Sequence, residues 1–142
     1  MASDVKWQGG CACGAVRYEV TGPASNRTLC HCVDCRRTSG APAFAWFSVA
    51  TNALRWTAPP PLLRRSGPGV ERGLCPHCGT TLTWQTDEAK DEIDVATGSL
   101  DDPELAPPDD HTFTSQRVAW LAIDDGLPRY PRTRAEGAAP PG

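Results

Sequence analysis

No stretch of this 142-residue sequence approaches the roughly 18 consecutive apolar residues of a membrane-spanning helix. Met1 to Gln8 is polar and mixed in charge and lacks the apolar run of a secretory signal, so a soluble, cytoplasmic protein is expected, with no membrane partner. A basic surplus is lacking too. Lys and Arg number 14 against 17 Asp and Glu, a formal net charge of −3 at pH 7. That balance opposes sequence-independent nucleic-acid binding, which needs a basic surface. Arg36/Arg37 and Arg64/Arg65 are only local basic pairs. No segment carries a clean helical stripe over three turns, and no repeat recurs at a fixed period.

What the sequence does hold is strand signals in short runs punctuated by glycine and proline. Val16, Tyr18 and Val20 alternate with Arg17 and Glu19, the period of a half-buried strand. Ala43 to Val49 is a continuous apolar and aromatic run suited to a strand covered on both faces. Further candidate strands are Leu54 to Thr57, Leu62 to Ser66, Thr80 to Thr86, Glu92 to Thr97 and Val118 to Ile123. One helical turn or two is expected around Asp34 to Ser39. Pro59–Pro61 and Pro107–Pro108 mark loops, because proline has no N–H for a ladder. The pattern predicts a mainly β fold in a single domain over residues 1–130. A chain of this size buries roughly 70% of its unfolded surface and needs no staples. Residues 131–142 have little to bury and are expected to fray as a flexible tail.

Seven cysteines stand out: Cys11, Cys13, Cys30, Cys32, Cys35, Cys75 and Cys78. An odd number leaves one thiol over in any all-disulfide scheme, and a reducing compartment favours metal ligation or redox use instead. Cys75-Pro76-His77-Cys78-Gly79 is a C-x-x-C knuckle whose turn brings two sulfurs toward one ion. A tetrahedral structural site needs two more ligands. Cys11 and Cys13 supply them, since residues i and i+2 of an extended segment share a face, and the alternation that follows suggests a strand starting there. Such a four-thiolate site is closed to substrate and staples the fold. Iron is the alternative metal for four thiolates.

Cys30-His31-Cys32-Val33-Asp34-Cys35 is the second cluster. Three thiolates leave tetrahedral zinc one open position, the arrangement expected at catalytic sites. Zn²⁺ with three thiolates carries a charge of −1 and is a weak Lewis acid. It suits the binding of a soft ligand such as a thiolate better than hydroxide generation. If two divalent ions recruit all seven thiolates, the net charge falls to about −6. His31 is a candidate fourth ligand, although an extended segment points it away from Cys30 and Cys32. Asp34 is either an acid/base group or a local amide acceptor, and Arg36 and Arg37 either offset the site or hold a substrate carboxylate. A redox dithiol at Cys32 and Cys35 is disfavoured, because no thioredoxin-like βαβ pattern surrounds it. His77 is expected to be exposed, His111 to lie in a surface loop, and Trp46, Trp56, Trp84 and Trp120 to sit on strands as core.

These residues together resemble the glutathione-dependent formaldehyde-activating enzyme family, also called the GFA or centromere-protein-V domain family. The match is the ordered set Gly9 to Tyr18 (GGCACGAVRY), Cys30 to Gly40 (CHCVDCRRTSG), Cys75 to Gly79 (CPHCG) and Asp94 to Pro103 (DVATGSLDDP), with Val118 to Tyr130 resembling the family's ending. The resemblance implies an Mss4-like, mainly β fold of short antiparallel strands packed around the four-cysteine zinc site. It implies a structural zinc on Cys11, Cys13, Cys75 and Cys78, and a catalytic zinc on Cys30, Cys32 and Cys35. It also implies a carbon–sulfur lyase activity on the adduct of glutathione and formaldehyde, with glutathione or a similar small thiol as partner. The chain lacks the extra segments of longer members and shows no motif for glutathione's carboxylates beyond Arg36 and Arg37. A non-catalytic zinc module for protein interaction is the competing reading. Three ligands hold metal less tightly than four, so partial occupancy is expected at the second site.

Overall fold

A computed structural model describes residues 6–137. Ten strands and one α-helix follow each other along the described chain. They are β1 (Trp7–Gly10), β2 (Arg17–Val20), β3 (Ser25–Cys30), α1 (Val33–Ser39), β4 (Phe44–Ala50), β5 (Leu54–Trp56), β6 (Leu62–Arg65), β7 (Val70–Leu74), β8 (Thr81–Thr86), β9 (Glu92–Ala96) and β10 (Asp110–Thr112). The fold is mainly β. Among the described residues no helix is long and apolar enough to cross a membrane.

The chain divides into two compact units. The first comprises the residues up to Ser25 together with Phe47–Ala106, and the second Asn26–Trp46 together with the residues from Pro107 on. In the first unit β1, β2 and β5 form an antiparallel sheet, with Gly9 opposite Tyr18 and Tyr18 opposite Trp56. The end of β4 is followed in sheet order by β9, β8, β7 and β6. The alternation in β2 buries Tyr18 and Val20, which join Val16, Phe47, Val49, Leu82, Val95 and Leu100 in one core. Trp7 meets Phe47 edge-on at 5.5 Å, and Tyr18 meets Trp56 at 5.8 Å. Gly9 is required by close approach: a Cβ there would collide with the Tyr18 hydroxyl and the Ser99 carbonyl.

In the second unit β10 pairs in parallel with β3, placing His111 opposite Leu29 and Thr112 opposite Cys30. This parallel pair makes the strand pairing mixed, since β1–β2, β2–β5, β6–β7, β7–β8 and β8–β9 are antiparallel. Helix α1 is short because its ends are fixed by local chemistry. Cys32 is the N-cap, its sulfur accepting from the Cys35 N–H, and Gly40 closes the other end at φ 75° with its N–H on the Arg36 carbonyl.

Three sequence expectations need correction. No strand starts at Cys11: Cys11 to Ala15 is the turn between β1 and β2. Val118 to Ile123 is irregular, and Trp120, expected in the core, is 76% exposed. An apolar run predicts burial only where a neighbouring strand accepts its backbone, and none among the described residues does here. Residues 131–137, expected to fray, are tied down. The Phe113 and Thr114 N–H groups donate to Arg132 and Tyr130 carbonyls, Ser115 donates to Pro131, and Arg134 reaches Asp110 and Asn26. The expectation for 138–142 lies outside the described residues.

Two candidate metal centres

Each unit carries one group of cysteines. In the first, two reverse turns follow similar backbone schemes, their inner closures differing by one residue. The Gly14 N–H donates to the Cys11 carbonyl and the Cys11 N–H to Val16, while the Gly79 N–H donates to the Cys75 carbonyl and the Cys75 N–H to Thr80. Gly14 and Gly79 both take positive φ, 82° and 78°, which lets each turn close behind its cysteine. A register shift at Gly73/Leu74 ends the regular β7–β8 ladder just before Cys75.

The four sulfurs of Cys11, Cys13, Cys75 and Cys78 lie within 4.8 Å of one another. Cys11 Sγ is 3.6 Å from Cys13 Sγ, which is 3.7 Å from Cys75 Sγ. Zinc–sulfur bonds of about 2.3 Å in a tetrahedron put sulfurs roughly 3.8 Å apart, so the set fits such an ion. Backbone N–H groups aim at the sulfurs: Val16 at Cys11 (3.2 Å), and His77 and Cys78 at Cys75 (3.4 Å each). Hydrogen bonds from the Thr80 side chain and backbone hold the Cys78 thiol down to about 5. Cys11 and Cys75 are buried, Cys13 and Cys78 exposed, and His77 is exposed as expected.

The second unit brings Cys30, Cys32 and Cys35 together, their sulfurs also within 4.8 Å of one another. Cys30 ends β3, Cys32 caps α1, and Cys35 lies on the buried face of the first helical turn. The Cys35 and Cys30 sulfurs lie 3.3 Å apart, and the Cys35 N–H donates to Cys32 Sγ at 3.2 Å. Hydrogen bonds from Cys30, Cys35 and the helix-start amides hold Cys32 far below the ordinary thiol range, while hydrogen bonding to Cys32 and Cys35 pushes Cys30 up. The donors that converge on Cys32 favour its ionised form.

His31 does not join the group. It is buried, and its Nε2 lies 2.9 Å from His111 Nδ1. Asp34 is exposed in the first turn of α1, and its N–H is among those that lower Cys32. Arg37 is exposed, whereas Arg36 is half-buried with its Nε unpartnered. His111 overturns its surface-loop expectation: it is 0% exposed on β10, with Nε2 2.7 Å from Asp125 Oδ2. Asp125 and Gln116, which accepts the Val33 N–H at 2.8 Å, carry no pattern that singles them out in the sequence.

The description "Glutathione-dependent formaldehyde-activating enzyme" belongs to a family whose sequence profile matches residues 6–116. The chain belongs to this family. Within the matched span lie all seven cysteines of this GFA-family chain. No match was found among curated proteins. Among solved structures, a Rhodobacter sphaeroides protein superposes with a TM-score of 0.55 at 21% identity, covering 87% of this chain and 98% of its own. That likeness extends to the fold alone.

Proposed function

We propose that this GFA-family protein is a zinc-dependent enzyme of the carbon–sulfur lyase type, acting on the adduct of a small thiol such as glutathione with an aldehyde such as formaldehyde. The observation that carries the reading is the three-thiolate group, which has no fourth protein ligand among the described residues. Cys30, Cys32 and Cys35 hold the catalytic ion, and Cys11, Cys13, Cys75 and Cys78 hold a structural one. When bound at three thiolates, zinc supplies a soft cationic centre with one position left for a substrate sulfur.

The chain's own residues do the rest. Cys32, whose ionised form is favoured by the hydrogen bonds it receives, and the buried Cys30 and Cys35 make up the donor set. Arg36 and Arg37, one turn along α1 from Cys32, are the cations nearest in sequence to the trio and would serve as partners for the carboxylates of a glutathione-like thiol. Held beside each other, thiol and aldehyde react by forming the C–S bond while the sulfur's proton passes to the carbonyl oxygen; the lyase direction reverses both changes. No other group is consumed.

The test is Cys35→Ser. The variant is expected to keep its fold and the four-thiolate metal, to lose the second metal, and to slow adduct exchange by about two orders of magnitude. Exchange is read by carbon-13 NMR of labelled formaldehyde with glutathione, after subtraction of the spontaneous rate. A folded variant with unchanged exchange would leave a non-catalytic zinc module as the reading.

A further inference from the structure

We infer that His111 and Asp125 are positioning residues for the three-thiolate centre, fixing the orientation and tautomer of His31 and thereby the Cys30-His31-Cys32 segment. The inference rests on the reading of Cys30, Cys32 and Cys35 as metal-holding residues.

Asp125 Oδ2 lies 2.7 Å from His111 Nε2, and an ionised carboxylate only accepts. His111 Nε2 therefore carries the hydrogen, and in the neutral ring Nδ1 is the acceptor. That nitrogen lies 2.9 Å from His31 Nε2, which donates to it when the His111 ring is neutral. The direction of the chain is thus set from Asp125 inward, and His31 is held as the Nε2–H tautomer. Its Nδ1 is left as a bare lone pair, buried and without a partner among the described residues. A buried group left unmatched requires a reason. Here the reason is that the ring is oriented from its other nitrogen.

Each member is itself held. His111 is gripped on both sides of its backbone, its N–H on the Pro128 carbonyl at 2.9 Å and its carbonyl under the Tyr130 N–H at 2.8 Å. Asp125 Oδ1 accepts the Leu127 N–H at 3.1 Å and sits 3.7 Å from an Arg129 guanidinium nitrogen. His31 is anchored by its own N–H on the Thr112 carbonyl at 3.0 Å, adjacent to His111 on β10. Backbone and ring of His31 are therefore both tied to β10. Its two chain neighbours are thiolate donors, so a backbone shift that follows the loss of the ring's anchor moves both sulfurs.

The experiment uses the full chain loaded with cobalt in place of zinc, where thiolate-to-metal absorption follows each site during titration. Asp125→Asn and His111→Ala are expected to weaken cobalt binding at the three-thiolate site by about tenfold or more, with the four-thiolate site unchanged. Nitrogen-15 NMR of the zinc-loaded protein should show His31 as the Nε2–H tautomer in the parent and as a mixture in Asp125→Asn. That readout does not follow from a change of stability alone, and Asp125→Asn keeps the shape if His111→Ala fails to fold. Cys35→Ser, run in parallel, tests whether the three-thiolate site exists. With that control positive, unchanged affinity in Asp125→Asn, or an Nδ1–H tautomer in the parent, overturns the inference.

Discussion

Tyr18 illustrates how one side chain ties the first unit together. Its ring is buried in the core against Trp56, and its hydroxyl lies 2.6 Å from the Ser99 hydroxyl. Burial pushes its phenol up to about 12, the Ser99 hydrogen bond opposing only part of that. The unfolded phenol ionises near pH 10, so between pH 10 and 12 the unfolded chain has lost a proton that the folded chain keeps. Stability must therefore fall as pH rises through that window, by about 3 kcal/mol once both forms are ionised. In Tyr130→Phe, which leaves Tyr18 as the remaining tyrosine, phenolate absorbance is expected to appear near pH 12 and not near 10. Tyr18's burial was legible in the period-two pattern of Val16, Tyr18 and Val20. His111 was not legible, because its burial depends on β10 pairing with β3, about 80 residues earlier, and a three-residue strand leaves no periodicity to detect.

Among the elements, the two knuckle turns act as one clamp. The β1–β2 turn brings Cys11 and Cys13, the β7–β8 turn brings Cys75 and Cys78, and Thr80 Oγ1 accepts the Ala12 N–H at 3.1 Å across them. Metal at such a site contributes folding free energy on the order of 10 kcal/mol. Cys75→Ser is expected to unfold the first unit or lower its melting temperature by more than about 10 °C, whereas Cys35→Ser shifts it little. Melting curves of both variants, with and without a chelator, check the contrast. The C-x-x-C turn was readable because its chemistry is local. The C-x-C pair was recognised as ligands but placed on a strand, since spacing alone does not distinguish an extended pair from a hairpin turn closed by Gly14 at φ 82°. β3 and β7 were missed, because polar and glycine-containing runs such as Ser25 to Cys30 and Val70 to Leu74 become strands only through their neighbours.

For the molecule as a whole, the two cysteine groups fall in different units, four sulfurs in one and three in the other. That division was visible in the sequence as arithmetic. The division of the chain itself was not, since the second unit is assembled from two segments separated by the whole of Phe47–Ala106. Because each group has its own scaffold, the two metals should load and respond independently. The most direct test is the zinc content of fully reduced protein, followed through a titration with glutathione. With zinc in excess the account predicts two zinc ions per chain, with thiol perturbing only the one that Cys35→Ser removes. One tightly bound zinc per chain, unresponsive to any small thiol, would contradict it.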